Sequence, residues 1–211
     1  MKTDLFISLE GTEGAGKSTA LQFIQHYFAE KNKSIVLTRE PGGTDIAEQI
    51  RHILLHANNA EKMRAETELL LMFAARAQHI TEVILPALNA NKIVVSDRFV
   101  DASYAYQGGG RGIDKNKIML LDKMVVGNVY PKLTILLDIS AEAGMQRAEK
   151  RGAEKDRIEK ERMDFFVRVR NAYLERAKAE PQRIKIVDAN QSLDNVQQQL
   201  KIILDEFIQR F

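Results

Sequence analysis

Short apolar runs alternate along the chain with longer segments in which apolar residues recur at helical spacing. Five of the short runs have the length and residue types of buried strands: Leu5–Leu9, Ile35–Thr38, Ile93–Ser96, Leu133–Asp138 and Ile184–Val187. Strands that alternate with helices are typical of a parallel sheet with helices on both faces. The pattern therefore predicts an α/β fold in which a parallel sheet is flanked by helices.

The segments of helical period lie between and after these strands. They are Lys17–Lys31, Thr44–His56, Glu66–Asn89, Asp114–Val126, Ala141–Arg151, Glu161–Glu180 and Ser192–Phe211. No internal repeat, low-complexity tract or linker interrupts the chain, so residues 1–211 are predicted to form one domain. Charged residues crowd the stretch that starts at Arg147, and Gly152 breaks its helical pattern. Two interpretations stay open for this stretch: a solvated helical face with salt bridges, or a mobile lid that carries arginines.

The composition excludes several classes of protein. The 211 residues include 31 Lys and Arg and 29 Asp and Glu, and the net charge of +2 gives no electrostatic reason to expect a nucleic-acid or membrane partner. Because the chain has no cysteine, disulfides, cysteine zinc sites and thiol catalysis are excluded. The apolar run Leu69–Ala75 is too short to span a bilayer, and we expect a cytoplasmic location.

A glycine-rich segment follows the first predicted strand and precedes the first predicted helix. Its sequence, GTEGAGKS, matches at every position the phosphate-binding loop (P-loop) pattern GxxxxGK followed by Ser or Thr. In such a loop the backbone N–H groups surround the β-phosphate, Lys17 reaches the β and γ oxygens, and Ser18 offers a hydroxyl to Mg²⁺. A chance glycine turn with a solvent-facing lysine is the alternative. The segment predicts that ATP or GTP is bound by Gly11, Thr12, Glu13, Gly14, Ala15, Gly16, Lys17, Ser18 and Thr19.

Asp97 follows the third predicted strand, which places it at the carboxyl edge of the sheet, where open α/β folds bind ligands. A carboxylate there can hold a metal ion or its waters, so Asp97 joins Ser18 as a candidate Mg²⁺ ligand. The chain has neither the NKxD motif of GTPases nor the LSGGQ signature of transport ATPases. These two classes of P-loop protein are therefore disfavoured.

Three arginines occupy positions near the predicted ligand edge. Arg39 follows the second strand, Arg51 lies on the next helix, and Arg98 follows the third strand. Each alone is better explained by a solvated surface position than by a ligand contact. Together they favour an acceptor that is itself a phosphate, because two phosphate groups repel each other and need several cations around them.

Further motifs carry a resemblance to a known family. TREPGGT at Thr38–Thr44, DRF at Asp97–Phe99, AYQGGGRG at Ala105–Gly112 and DRIE at Asp156–Glu159, together with the P-loop, resemble the bacterial thymidylate kinase family from the first strand to the last helix. The resemblance implies a P-loop NTPase fold with a five-stranded parallel sheet and a short mobile lid at about 147–160. It also implies a homodimer and the transfer of the γ-phosphate of ATP, with Mg²⁺, to dTMP, a step in dTTP synthesis.

The resemblance also implies roles for side chains around the acceptor. Arg39, Arg51 and Arg98 would bind the dTMP phosphate, in agreement with the charge argument. Glu13 would contact the 3′-hydroxyl of the sugar, and Tyr106 would pack below the deoxyribose. A solvated loop carboxylate and an ordinary core tyrosine are the respective alternatives.

The base edge would be bound by Arg76 and Gln107, with Ser103 nearby. Many family members have an aromatic residue four positions before this arginine, and here that position is Met72, followed by Phe73. Both positions face Arg76 on a helix. We expect Phe73 to stack on the base, because an aromatic ring fixes the orientation of a base better than a flexible thioether does. Two core side chains are the alternative.

The predicted lid supplies the remaining cations. The variable P-loop positions contain no arginine, so the resemblance assigns the catalytic lid arginine to Arg151, which would act with Lys17, Arg98 and Asp97. Arg147, one turn earlier, would stack on adenine. Arg157 would assist or pair with a neighbouring acid. Rival hypotheses are a deoxynucleoside kinase, a kinase for another monophosphate, and a nucleotide-binding scaffold without turnover.

Overall fold

The five strands of the sheet are all parallel, in the order β2-β3-β1-β4-β5. This computed structural model describes residues 5–56, 62–150, 152 and 156–209. Its strands are β1 (Phe6–Gly11), β2 (Ile35–Arg39), β3 (Ile93–Asp97), β4 (Leu133–Asp138) and β5 (Ile184–Asp188). The predicted α/β fold with a five-stranded parallel sheet is confirmed. β1, which leads into the P-loop, is the central strand, so the loop emerges at the middle of the carboxyl edge.

Nine α-helices cover the sheet in the described part of the chain. They are α1 (Lys17–Glu30), α2 (Asp45–His56), α3 (Ala65–His79), α4 (Leu85–Asn89), α5 (Val100–Ser103), α6 (Lys115–Val125), α7 (Ala141–Lys150), α8 (Met163–Ala179) and α9 (Leu193–Ile208). Side-chain caps fix four of the starts. Thr44 accepts from the Ala47 N–H at 3.2 Å, Asp114 from the Asn116 N–H at 2.9 Å, Ser140 from the Ala143 N–H at 3.2 Å and Ser192 from the Asn195 N–H at 3.4 Å. None of the helices in these ranges has both the length and the apolar character needed to cross a bilayer.

The predicted helix Glu66–Asn89 differs from the structure in its regularity. A π-helical segment, Ile80–Ile84, separates α3 from α4. Pro86 lies at the start of α4, and because proline has no N–H the regular hydrogen-bond ladder cannot continue through it. A second π-helical segment, Tyr104–Gly110, continues from α5.

One face of the sheet packs against α1 and α9. Ile7 and Leu9 of β1 lie on this side and are fully buried with Ile24, Phe28 and Leu204. These side chains are aliphatic or aromatic, and their burial supplies the apolar area that stabilises this layer.

The opposite face packs against α3, α4 and α6 near its N-terminal end. Phe6 and Val94 are buried there with Phe73 and Leu88. The ring of Phe6 meets the edge of Phe99 with centroids 4.9 Å apart. Phe99 follows β3 directly, so this contact fixes the chain where it leaves the sheet toward the candidate site.

Polar side chains replace apolar ones on this face farther along the strands. Ser8 and Glu10 of β1 and Ser96 of β3 are completely buried. Ser96 Oγ donates to the carbonyl of Arg98 at 2.7 Å, and Glu10 accepts from the Phe99 N–H at 2.7 Å and from the Tyr173 hydroxyl at 2.7 Å. Buried polar groups of this kind must find partners. Here they hold the backbone on either side of Arg98, which has a positive φ of 68°.

Burial, with a smaller contribution from the charge of Asp101, raises the pKa of Glu10 from 4.5 to about 8. The folded state therefore binds this proton more tightly than the unfolded state, and the stability contributed by Glu10 is full below pH 4.5 and lost as the pH rises toward 8. Glu10→Gln cannot lose a proton. We predict that its melting temperature, relative to the unchanged protein, rises through this pH window and levels off above it.

Thermal unfolding monitored by circular dichroism across that window measures the difference. Glu82→Gln, at an exposed position of the segment Ile80–Ile84, is the matched control and should track the unchanged protein. Parallel pH profiles for Glu10→Gln and the unchanged protein would contradict the prediction.

Candidate active site

The P-loop connects β1 to α1 through residues with left-handed backbone conformations. Gly14 and Gly16 have φ values of 73° and 90°, and Gly16 is the residue that precedes the first turn of α1. A side chain at Gly14 would place Cβ 2.0 Å from the carbonyl oxygen of Gly144 on α7. Glycine is therefore required there both for the turn and for the close approach of α7. The loop leaves the first N–H groups of α1 available to an anion.

Lys17 is the first residue of α1 and its side chain folds back over the loop. Its Nζ lies 3.3 Å from the carbonyl of Gly11 and 3.5 Å from that of Thr12. Burial, and secondarily the positive charge of Arg98, lowers the pKa of Lys17 to about 8. A phosphate group beside the ammonium would favour its charged form, so anion binding and protonation of Lys17 support each other.

Asp97 and Ser18 line the same cavity, between the end of β3 and the start of α1. One carboxylate oxygen of Asp97, Oδ1, is buried and has no hydrogen-bond partner. A buried oxygen of this kind fits a hard cation or a water bound to it. In the described ranges no group of three or more His, Asp or Glu could hold a metal by itself. A cation here would therefore take its further ligands from water or from a bound phosphate.

Arg98 connects the P-loop to the opposite wall of the site. Its Nη2 donates to the carbonyl of Gly11 at 3.3 Å, to Glu13 at 2.9 Å and to the hydroxyl of Tyr106 at 2.8 Å. The Tyr106 hydroxyl in turn donates to Glu13 at 2.9 Å. The Nε of Arg98 is buried and has no partner, so this guanidinium retains a donor for a ligand.

Two cavities meet at this arginine. The cavity over the P-loop, about 580 Å³, contains Lys17, Ser18, Thr19 and Arg147. The second cavity, the acceptor arm, measures about 60 Å³, well below the roughly 300–1,000 Å³ of typical ligand pockets. Four residues line both: Glu13, Arg51, Arg98 and Asp156. The two cavities are therefore arms of one crevice, and a ligand of nucleotide size must displace side chains of the acceptor arm.

Arg76 projects from α3 into the acceptor arm and is 2% exposed. Its Nε donates to Glu40 at 2.7 Å, its Nη1 to Ser103 at 3.0 Å and its Nη2 to the carbonyl of Phe99 at 3.2 Å. A guanidinium has five N–H groups, so two remain for a ligand. Glu40 also contacts His79 Nδ1 at 2.9 Å, which fixes the carboxylate that orients Arg76.

The expected base-stacking residue is corrected by the structure. Phe73 is 2% exposed and lies in the core cluster of α3 and α4, with the Arg76 guanidinium 4.7 Å above its ring. Met72 lines the acceptor arm, and Phe73 does not. The segment Ala65–His79 turns residue 73 toward the sheet, where the apolar residues lie. Phe73 therefore supports the arginine, and the thioether of Met72 faces the cavity.

The three candidate phosphate arginines are not equally placed. Arg51 and Arg98 line both arms, and Arg51 Nη1 donates to the carbonyl of Pro41 at 2.8 Å. Arg39 lines neither cavity and is paired with Glu48 at 2.9 Å. The structure therefore does not bring Arg39 into the crevice, because its exposed side chain turns toward α2 instead.

The predicted lid, at about 147–160, begins within α7, and the N-terminal half of α7 packs against the P-loop at Gly144. Arg147 lines the P-loop cavity and donates to the carbonyl of Ala189 at 2.9 Å. Arg151 lies outside the described residues. Arg157 donates to the carbonyl of Leu54 at 2.7 Å and to Glu68 at 2.6 Å, so this part of the predicted lid is joined to α2 and α3.

Comparison with known proteins agrees with this geometry. The family model described as thymidylate kinase matches residues 9–200 of the chain. The chain belongs to the thymidylate kinase family. A thymidylate kinase of Acinetobacter baumannii (strain AYE) is 55% identical over 195 residues, which cover 92% of this chain and 97% of the relative.

A second thymidylate kinase, from Ruthia magnifica subsp. Calyptogena magnifica, is 51% identical over 204 residues, covering 97% of this chain and 98% of the relative. The crystal structure of thymidylate kinase from Ehrlichia chaffeensis superposes with a TM-score of 0.75 at 34% identity, over 95% of this chain and 97% of that chain. The family and the fold implied by the sequence motifs are therefore confirmed.

Sequence reasoning missed several residues of this member of the thymidylate kinase family. Gln191, Leu193 and Val196 line the P-loop cavity from the loop after β5 and the start of α9. The carboxyl end of β5 is at the ligand edge, and that position was the signal that could have indicated them. Glu40 and Glu68 were also missed, because acids that orient other side chains carry no motif of their own.

The positions of Met72 and Phe73 lead to a prediction. Phe73→Leu removes ring volume from the core, so we expect it to destabilise the protein by roughly 1–3 kcal/mol. Met72→Ala changes the wall of the acceptor arm and should raise KM for the acceptor nucleotide several-fold with a smaller loss of stability. Melting temperature and steady-state kinetics of both variants test this. A larger KM effect for Phe73→Leu than for Met72→Ala would show that the ring contacts the base.

Proposed function

We propose that the chain transfers the γ-phosphoryl group of ATP to dTMP and forms dTDP and ADP. The observation that carries this proposal is Arg98, which joins the P-loop arm to the acceptor arm and keeps its Nε free for a ligand. The acceptor arm combines two cations, Arg51 and Arg98, with the polar pair Arg76 and Gln107. Such an arm suits a molecule with a phosphate at one end and a hydrogen-bonding base at the other.

In the proposed reaction a phosphate oxygen of dTMP attacks the γ-phosphorus, and the bond from that phosphorus to the bridging oxygen of ADP breaks. No protein side chain forms a covalent bond in this reaction. Catalysis therefore depends on how the protein positions the two substrates and on the charges that it places around the phosphates. Lys17 would hold the β and γ oxygens. Arg98 would lie between the two anions and offset their repulsion. Tyr106 and Glu13 fix the orientation of Arg98 through their hydrogen bonds.

Mg²⁺ is proposed as the metal that accompanies ATP. Asp97 and Ser18 would hold it, directly or through water, and the buried unpartnered Oδ1 of Asp97 supports this assignment. When bound, the ion would supply positive charge that neutralises part of the phosphate charge.

Two further assignments remain proposals for the lid. Arg151 is proposed as the cation that stabilises charge on the transferred group, and Arg147 as the residue that stacks on adenine. The position of Arg147 in the P-loop cavity supports the second assignment. A cytoplasmic location is proposed as well, because the proposed reaction consumes ATP.

The proposed activity is tested by coupled turnover with ATP, Mg²⁺ and a panel of acceptors: dTMP, dUMP, dCMP, dAMP, dGMP and thymidine. We expect dTMP to be the best acceptor. Lys17→Ala should lower kcat by at least roughly 10²-fold, since it removes the positive charge that lies beside the transferred phosphoryl group. Lys33→Ala, at an exposed position remote from the crevice, is the control and should behave like the unchanged protein. Faster turnover of thymidine or another monophosphate than of dTMP would refute the assignment.

A homodimer is proposed for the same protein. Four large apolar side chains are exposed on the adjoining helices α3 and α6: Leu70 (57%), Met119 (54%), Leu120 (69%) and Met124 (76%). Exposed apolar groups concentrated on two adjoining helices are typical of an interface. A second copy of the chain is the proposed partner, because one apolar surface can pair with itself about a two-fold axis.

We predict that Leu120→Glu shifts the protein from dimer to monomer in sedimentation velocity experiments, because it places a charge in the proposed interface. Ile202→Glu introduces the same charge at a position of similar exposure on α9 and should leave the dimer intact. A monomeric unchanged protein, or equal effects of the two variants, would contradict the proposal.

A further inference from the structure

Glu68 of α3 is a carboxylate that is 1% exposed and lies beside the acceptor arm without lining it. Its Oε1 accepts from Gln107 Nε2 at 2.8 Å and from Arg111 Nε at 3.2 Å. Its Oε2 accepts from Arg157 Nη2 at 2.6 Å and lies 3.0 Å from Arg111 Nη2. The carboxylate thus has one neutral donor and two cations around it.

This arrangement keeps Glu68 ionised. Burial alone would raise its pKa, but the hydrogen bonds and charges of Arg111, with Gln107 and Arg157, lower it below the usual value. An ionised carboxylate is an acceptor only and can donate no hydrogen bond. Any group that contacts its oxygens closely must therefore present a donor.

The ionised Glu68 determines the orientation of the side-chain amide of Gln107, which is 1% exposed and lines the acceptor arm. A glutamine amide has a donor end and an acceptor end that differ only by a rotation of the terminal group. Because Glu68 accepts from one N–H of the NH2 group and thereby fixes the orientation of the amide, the carbonyl oxygen Oε1 is the acceptor left for a ligand. The reverse orientation would place two acceptors against each other in a buried site.

We infer that Glu68 is a specificity-determining positioning residue, which locks the amide of Gln107 so that it offers an acceptor to the base and thereby excludes cytosine. The inference rests on the proposed function and adds to it. Arg76 supplies donors on the same wall of the arm. The wall therefore presents a donor and an acceptor side by side.

A thymine or uracil ring matches this pair, since its N3–H donates and the adjacent carbonyl oxygens accept. Cytosine has the opposite pattern at N3, which is an acceptor, and at the exocyclic amine, which is a donor. Rotation of Gln107 would accommodate the cytosine N3, and Glu68 prevents that rotation. Discrimination of this kind comes from buried polar groups that the wrong substrate leaves unpaired.

The test compares kcat/KM for dTMP, dUMP and dCMP in the unchanged protein and in Glu68→Gln. The glutamine can donate or accept, so Gln107 becomes free to turn. We expect the ratio of kcat/KM for dTMP over dCMP to fall by roughly tenfold or more. The ratio for dTMP over dUMP should stay the same, because both rings carry N3–H. A loss of structure alone would not separate these two ratios.

Arg111→Lys is the matched control, since it weakens the ion pair of Glu68 and leaves the carboxylate beside Gln107. It should lower the melting temperature while preserving the ratio for dTMP over dCMP. The inference is overturned if Arg111→Lys lowers the ratio of kcat/KM for dTMP over dCMP as much as Glu68→Gln does. It is also overturned if Glu68→Gln leaves this ratio unchanged. Failure of the unchanged protein to phosphorylate dTMP would instead overturn the proposed function and this inference with it.

The double variant Glu68→Gln, Arg111→Met serves if the single variant does not fold. It removes one of the two cations that would lose the carboxylate of Glu68 as a partner. The same fall in the ratio for dTMP over dCMP is expected from it, and an unchanged ratio would overturn the inference.

Discussion

The hydrogen bonds of Arg98 are the interaction on which the two arms of the site depend. A buried guanidinium is unfavourable unless acceptors surround it. The carbonyl of Gly11, the carboxylate of Glu13 and the hydroxyl of Tyr106 provide them. Gly11 and Glu13 belong to the P-loop, and Tyr106 belongs to the opposite wall of the crevice. The arginine therefore sets the spacing between the P-loop cavity and the acceptor arm.

The backbone that carries Arg98 is in turn held by polar groups inside the protein. Its left-handed conformation is fixed by Ser96 on one side and by Glu10 on the other. Farther along the same layer, Asp101 of α5 accepts from Arg183 at 2.7 Å and from Arg176 at 2.5 Å. Hydrophobic side chains could fill this space with less desolvation. The polar network instead fixes the chain from β3 to α5, which carries the ligand-facing side chains.

The fold was predictable from the sequence because the apolar runs are short, regular and separated by helical segments. The P-loop, Asp97 and Arg98 were predictable too, since they follow strands that end at one edge. Arg39 was not, because strand position places the backbone while a nearby Glu48 decides where an exposed side chain turns. For Met72 and Phe73 the helical spacing left both candidates facing Arg76, and only the packing of α3 against the sheet separates them.

The close contact between Gly14 and α7 has a mechanical consequence. A Cβ at Gly144 would lie 2.6 Å from the carbonyl oxygen of Glu13, so the two backbones touch with no side chain between them. Such a contact has no soft layer that could absorb a tilt of the helix. The helix and the P-loop are therefore rigidly coupled at this contact. A movement of the far end of α7, where the chain continues toward Gly152, would also shift the loop residues that surround the phosphates.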